Sequence, residues 1–366
     1  MTRIVVVGSG FAGVEAVASL SSLCDRYECI WVTARAQMVF LPLLPALAAG
    51  RYRVEEVFWS IESYARRAGF AVIEKPVEVL GDGWLVAGGE RIDYDYAIAG
   101  LGARPAFYGV PGAAEHSITL YSVEDAETIR KLLDRIDGLV IVGAGPVGVE
   151  LAGEVALWAR RVGSPLKIWL IDMLSEPLAL LGNQRASELA RELLEKLGVE
   201  LVLGRRVVRV AENHVELEDG SKVGCQGCAI AWTAGIGGPD VKLEKDTALG
   251  KAGFILVDET LRAKGYRRLY VAGDAASYQA QCPPLKLARE AIRMARHAVS
   301  NLRAGLNGGK PKPYKPFITT CRPLLGVCIG KADCILALGK NIALKTRLPA
   351  WYHERVRRAY QSRLVA

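Results

Sequence analysis

The strongest constraint on the fold is a spacing of glycines that occurs twice. "RIVVVGSGFAGVEAVASL" carries Gly8, Gly10 and Gly13, and "GLVIVGAGPVGVELAGEVALW" carries Gly143, Gly145 and Gly148. In each, β-branched residues enter the turn and an apolar helical pattern leaves it. The first glycine permits the tight turn, the second lets a pyrophosphate approach the backbone, and the third lets helix and strand pack closely. The helix N-terminus then offers free N–H groups to the phosphates. Two copies in this context predict an α/β chain with two Rossmann-like dinucleotide-binding domains.

The strand that follows each cradle should end in an acid that holds the ribose diol. "PLKIWLID" meets this with Asp172, which accepts both hydroxyls of NAD and repels the 2′-phosphate of NADP; a merely solvated strand end is the alternative, since the offset exceeds the usual ~20 residues. In the first unit "ECIWVT" ends instead in Thr33, with Ala34 and Arg35 beyond it. A threonine makes one neutral hydrogen bond where a carboxylate makes charge-assisted ones, so this cradle is weakened and suits a ligand with a second anchor. Arg35 is either solvated or a partner for a phosphate. "LYVAGDAA" (269 to 276) supplies the second anchor: Asp274 at a strand end can accept a ribityl hydroxyl. The N-terminus of a helix expected over 286 to 302 can face a flavin's pyrimidine edge. FAD is thus expected in the first cradle and NADH in the second.

A length of 366 residues suits two nucleotide domains and a small tail. Residues 71 to 100 alternate short β-rich runs with turns; a helix is expected over 184 to 197 and a strand over 199 to 203. "GVPGAAE", "IGGPD" and "NGGKPKPYKP" mark boundaries. Although 51% of residues are hydrophobic, no run approaches the ~20 apolar residues that span a bilayer. Met1-Thr2-Arg3 leads directly into a strand, so a signal peptide is not expected and the chain reads as intracellular. The formal charge of +8 favours anionic partners without choosing among them. No nucleic-acid reader module accompanies it, and nucleic acid is not an expected partner. No metal site is expected, and four histidines without a paired acid or cysteine motif give no hydrolase triad.

"FLPLLPALAAG" (40 to 50), "YDYAIAGLGARP" (94 to 105), "YSVEDAETIRKLL" (121 to 133), "GAGPVGVELAGE" (143 to 154) and "AWTAGIGG" (231 to 238), with the two cradles and "GDAA", resemble the type II NADH dehydrogenases and the related sulfide:quinone oxidoreductases. The resemblance implies an FAD domain made of residues 1–110 and 237–308, an NADH domain at 111–236 inserted between them, and a C-terminal region, 309–366, facing quinone and membrane. It implies FAD contacts from Gly8, Gly10, Gly13, Thr33, Gly102, Gly273, Asp274 and Ala275, and NADH contacts from Gly143, Gly145, Gly148 and Asp172. Glu150 falls where related enzymes carry a glutamate at the nicotinamide–flavin junction; an acid that merely favours the helix dipole is the alternative. The implied reaction passes hydride from NADH to flavin and two electrons to quinone, at the cytoplasmic face of the cell membrane. Two glutamines of the type II enzymes' quinone motif correspond here to Arg289 and Arg293, which share a helix face. A quinone oxygen, an anionic acceptor, solvent and phospholipid all remain open as their partners.

The sulfide:quinone enzymes use two cysteines beside the flavin, and Cys321 in "ITTCRPLLG" matches the second, which makes it the thiol of an alternative sulfide-oxidising reading. No cysteine lies between Cys29 and Cys225 to match the first. Eight cysteines at irregular spacings do not resemble a disulfide framework, and Cys225 and Cys228 read as small buried residues at a strand entry. Cys282, Cys328 and Cys334 show no four-ligand spacing. The tail "LPAWYHERVRRAYQSRL" (348 to 364) puts Tyr352, Val356, Ala359, Tyr360 and Leu364 on one side and Arg355, Arg357, Arg358 and Arg363 across the rest. Such a helix lies on anionic lipid as a monotopic anchor, or packs on the protein's own core or a homodimer partner.

Overall fold

The first β-branched run becomes Arg3–Val7, the central strand of a five-stranded sheet. The spatial order is Leu269–Val271, Tyr96–Ala99, Arg3–Val7, Glu28–Thr33 and Ala71–Glu74, with every neighbouring pair parallel. A second sheet runs Ile118–Thr119, Cys228–Trp232, Gly138–Val142, Lys167–Asp172 and Glu200–Leu203, again all parallel; its last four repeat the order of the first sheet, but its edge strand is the first in sequence where that of the first sheet is the last. Strands buried on both faces need continuous apolar runs, and Gly138–Val142 is buried at all five positions. This computed structural model describes residues 1–365.

Residues from 3 to 99 and from 269 to 271 build the first sheet, whereas the second takes all its strands from between 118 and 232. The first-cradle helix is Phe11–Leu20 and the second-cradle helix Pro146–Val162. The helix after "GDAA" spans Ala288–Leu306, two residues later in its start than its sequence pattern predicts, because Leu287 is extended and stands as its N-cap. It packs along the first-cradle helix. An antiparallel sheet of Leu324–Ile329, Asp333–Leu338 and Ile342–Thr346 precedes the C-terminal helix Leu348–Val365.

Two expectations need correction. All eight cysteines are paired: Cys24–Cys29, Cys225–Cys228, Cys282–Cys321 and Cys328–Cys334. Irregular sequence spacing hid this because tertiary position sets the partners; Cys328 and Cys334, for example, are register partners across an antiparallel pair. Cys321 accordingly carries no free thiol. Of the two readings of the tail, packing on the protein's own core holds at Tyr360 and Leu364, while its cationic side needs the second correction. Tyr360 and Leu364 are buried, and Tyr360 meets Phe11 edge-to-face at 5.2 Å between ring centroids. Arg357, expected among the solvated cations, is buried and donates to Glu354, Gln361 and the Glu56 carbonyl. The large apolar residues left exposed are Leu348 at 61%, Trp351 at 60% and Tyr352 at 43% at the head of the helix and Val365 at 61% at its end, and Ala359 is exposed as well. Among the described residues no helix is long and apolar enough to cross a membrane.

Candidate functional site

Both cradles have the geometry that their spacing predicts. Gly8 adopts φ +89°, and a Cβ there would lie 2.4 Å from the Gly100 carbonyl oxygen; a Cβ on Gly13 would lie 1.8 Å from that of Gly8. Nothing lies within 4 Å of the Cβ position of Gly10 or of its counterpart Gly145. Each of these two glycines is the N-cap of its helix with no side chain capping it, so the first amides are free for an anion. Gly143 and Gly148 repeat the close contacts of Gly8 and Gly13. Turns crowded on one side and open on the other fit a pyrophosphate at each position.

The strand ends differ as their side chains do. Asp172 accepts from Ala144 N at 2.6 Å and Leu174 N at 2.8 Å, so its carboxylate is locked against the second glycine turn. Thr33 is buried, and its hydroxyl lies 3.0 Å from Ser9 Oγ and 2.9 Å from the Arg35 carbonyl oxygen. It braces the first turn from below. Arg35 is paired with Glu124 at 2.5 Å, on the helix Val123–Leu132, which accounts for its charge without a phosphate. The register partner of Thr33 on the neighbouring strand is Glu74, whose carboxylate accepts from Ala36 N at 2.9 Å.

Opposite the first cradle, Gly273 at φ +75° lies against Ala12 and Ala291, and the latter belongs to the first turn of the long helix. The head of that helix, Gly273, Asp274 and the buried Ala275 are therefore brought to the cradle that begins at Gly8. Burial pushes the Asp274 carboxyl up, with Lys286 opposing the shift. Burial likewise lowers the Lys286 ammonium, which donates to the carbonyls of Asp274 at 2.7 Å and Ala276 at 2.9 Å. Gly102, at φ +72°, faces the Tyr121 hydroxyl, which accepts from Ala103 N at 3.2 Å. Burial, then Asp274, push the Tyr121 phenol up to about 12. Sequence reasoning passed over Lys286 and Tyr121, although Lys286 in "CPPLKLARE" and Tyr121 in "YSVEDAET" both stood within or beside quoted motifs.

Glu150 is not on the first turn of its helix, and the structure assigns it a partner absent from the sequence pattern. It is buried and accepts from Cys328 N at 2.8 Å, while Glu154, one turn later, accepts from Gly330 N at 3.0 Å and pairs with Arg51. The two carboxylates thus clamp the second-cradle helix onto Leu324–Ile329. Burial raises the Glu150 carboxyl to about 8; the Cys328 amide opposes the rise, Glu154 adds to it and Arg51 opposes it. A cleft of about 470 Å³ opens beside Cys328 and Arg51, with Tyr52, Lys331, Trp351 and His353 on its walls.

Cys282 and Cys321 join the segment before the long helix to the one before the C-terminal sheet. Arg289 and Arg293 do share a face, one turn apart, with their guanidinium carbons 5.6 and 5.0 Å from the Phe317 ring centroid. Among the described residues no group of His, Cys, Asp and Glu is arranged to hold a metal ion.

An external alternative NAD(P)H-ubiquinone oxidoreductase of Arabidopsis thaliana mitochondria is 28% identical over 319 residues, covering 75% of this chain and 54% of that protein. The chain spans about half the length of this and the related plant proteins. The type II NADH:quinone oxidoreductase of Mycobacterium tuberculosis is 26% identical over 362 residues, covering 86% of this chain and 75% of that one. Two solved structures share the fold at 16% identity. The NDH2 of Plasmodium falciparum in complex with NADH has a TM-score of 0.85, covering 99% of this chain and 96% of that one. The sulfide:quinone oxidoreductase of Aquifex aeolicus has 0.83, covering 99% and 90%. The pyridine nucleotide-disulphide oxidoreductase family model matches residues 2–301, most of the chain, and the chain belongs to that family.

Proposed function

We propose that the chain is an FAD-dependent NADH:quinone oxidoreductase, peripheral to a membrane. The observation that carries this reading is the pair of open-topped cradles: Gly10 and Gly145 each leave room for a pyrophosphate, but only the second has a carboxylate, Asp172, at its strand end. The sequence relatives include NADH- and NAD(P)H-linked quinone oxidoreductases. FAD, when bound, supplies a two-electron carrier that can take hydride from NADH and deliver electrons to quinone.

The protein's own residues orient and balance charge around that exchange. Gly8, Gly10 and Gly13 with the first-cradle helix hold one dinucleotide, and Gly143, Gly145, Gly148 and Asp172 the other. Asp274 and the head of the long helix position the far end of the first ligand, and Lys286 fixes the Asp274–Ala276 turn by its two carbonyl contacts. Gly102 and Tyr121 close the same side. Quinone reduction consumes two protons, one more than the hydride donor brings. Glu150, mostly protonated at neutral pH, stores one on Oε2, because Oε1 already accepts from Cys328 N. Leu348, Trp351 and Tyr352, flanked by the exposed Arg347 and Arg355, rest on an anionic lipid surface and bring the acceptor to the C-terminal region.

The sulfide reading retains one observation: Cys321 has a partner, Cys282, in the segment just before the long helix. Anaerobic titration of the flavin-loaded protein separates the two. Bleaching by NADH and recovery with a quinone is the expected result; bleaching by sulfide alone sinks the proposal.

A further inference from the structure

The cleft of about 470 Å³ beside Cys328 is of a size that holds a small organic molecule, and the steps from NADH to quinone make no use of it. It lies between residues 51–56 and the C-terminal helix, with Gly330 and Lys331 of a hairpin turn on the third side. Glu354 stands on the helix side of the cleft. At about 100° per residue it is roughly 160° round the helix from Tyr352, whose ring is the one that meets Arg289. The cleft therefore opens on the side of this helix turned away from Arg289.

Its charges do not balance. Arg51 is spent on Glu154, to which its Nε donates at 2.9 Å, and Arg357 and Arg358 share Glu354, their Nε atoms donating at 2.9 and 2.7 Å. Two further cations on the walls, Lys331 and Arg347, are exposed, and among the described residues their side chains have neither a carboxylate within 4.0 Å nor a hydrogen-bond acceptor. The other carboxylate of the lining, Glu56, is turned to its own segment and accepts from Arg53 N at 2.9 Å. The walls are tied to one another. The Tyr52 hydroxyl donates to Glu354 at 3.3 Å, Arg357 Nη1 donates to the Glu56 carbonyl at 3.0 Å, and Gly330 N donates to Glu154, the partner of Arg51, at 3.0 Å. Two unpaired cations on a preformed cleft match a dianion, and a phosphate monoester carries roughly −1.5 to −2 at pH 7 where a carboxylate carries a single charge. Leu43, Ala350 and Trp351 give the same cleft an apolar lining for an organic body beyond the phosphate.

We propose that this cleft binds a phosphate monoester, with the phosphate on Lys331 and Arg347 and the organic body against Trp351. A soluble organic phosphate and the headgroup of phosphatidic acid both present this chemistry. The inference goes beyond the NADH:quinone reading and does not rest on it.

The test measures binding of 1-naphthyl phosphate to the flavin-loaded protein by equilibrium dialysis, with and without excess NAD+. The expected result is saturable binding that NAD+ does not displace, about tenfold weaker in Lys331→Gln and in Arg347→Gln, each of which removes one charge-assisted contact. Arg209→Gln, on the strand Val207–Val210 and outside the lining of the cleft, should bind as the parent does. 1-Naphthoate, with the same ring and a single charge, should bind about tenfold more weakly than the phosphate. Absence of saturable binding, displacement by NAD+, parent affinity in both cleft variants, or naphthoate binding as tightly as the phosphate overturns the proposal. Sedimentation with phosphatidic acid vesicles separates the two sources. Sedimentation that falls in Lys331→Gln and is competed by naphthyl phosphate supports the lipid headgroup; sedimentation indifferent to both, with naphthyl phosphate binding still weakened in the variant, supports the soluble ester.

Discussion

Replacing Glu150 by glutamine isolates the effect of one buried carboxyl, because the variant keeps an oxygen to accept from Cys328 N and loses only the ionisation. Burial raises this group to about 8 in the folded protein, against an ordinary value of 4.5. Folding therefore takes up a proton between those pH values. The stability this contributes is fully present below pH 4.5, declines as pH rises through the window, and is lost above pH 8. A difference of roughly 3.5 units corresponds to on the order of 5 kcal/mol, an upper bound because any opening of the site to water would reduce it. At about 2.1 cal/mol/K of unfolding entropy per residue, a chain of 366 residues converts that to a Tm difference of roughly 6 °C. Thermal melts of parent and Glu150→Gln, followed by circular dichroism at one scan rate from pH 4.5 to 9, measure it directly. The Tm of the variant minus that of the parent should rise by several degrees up to pH 8 and then level off. A constant offset across the whole range would show that the carboxyl is not held protonated by its surroundings.

The other expectations concern the cradles, the clasp and the tail. Asp172→Ala should raise KM for NADH about 10- to 100-fold, the scale of a lost charge-assisted hydrogen bond, while flavin content is unchanged; an unchanged KM counts against Asp172 as the ribose ligand. Thr33→Ala should purify with full flavin and be about 1 kcal/mol less stable, since its hydroxyl bonds only to Ser9 and Arg35; loss of flavin on gel filtration would show that the hydroxyl reaches the ligand. Serine at both Cys282 and Cys321 should lower stability by up to about 4 kcal/mol, the loop-closure value for their 39-residue separation, and a Tm equal to the parent's would mean the clasp adds nothing. Trp351→Ala with Tyr352→Ala should reduce sedimentation with anionic vesicles without altering the circular dichroism spectrum, and unchanged sedimentation would remove the lipid-facing role.

The cradles were legible because their chemistry is local. A tight turn, an open approach and a close helix–strand contact each demand glycine at a fixed offset, and the offsets survive in any linear reading. Asp172 and Asp274 were legible for the same reason, as acids at the ends of apolar runs. Interactions across long separations were not. Nothing in "VELAGE" reveals that Glu150 accepts an amide hydrogen bond from Cys328, 178 residues away, and nothing near Arg35 points to Glu124. The tail shows the same limit. Its period correctly placed Tyr360 and Leu364 on one side, but only the rings of Phe11 and Phe40 decide that this side faces protein. Cysteine pairing failed outright, because register and loop closure choose the partners.

The wiring of the first sheet also governs when the protein can mature during synthesis. Its edge strand Leu269–Val271 pairs with Tyr96–Ala99, and Tyr360 closes over Phe11. A ribosome releases both of these late pieces only after the whole second Rossmann unit has emerged. The second unit, contiguous in the chain, can fold while translation continues; the first waits with one strand edge unpaired and Phe11 uncovered. The first cradle, which has Gly273 opposite Ala12, is therefore complete only after the second unit has been made, and a nascent chain stalled before residue 269 leaves the edge of Tyr96–Ala99 open to pairing with a neighbouring chain.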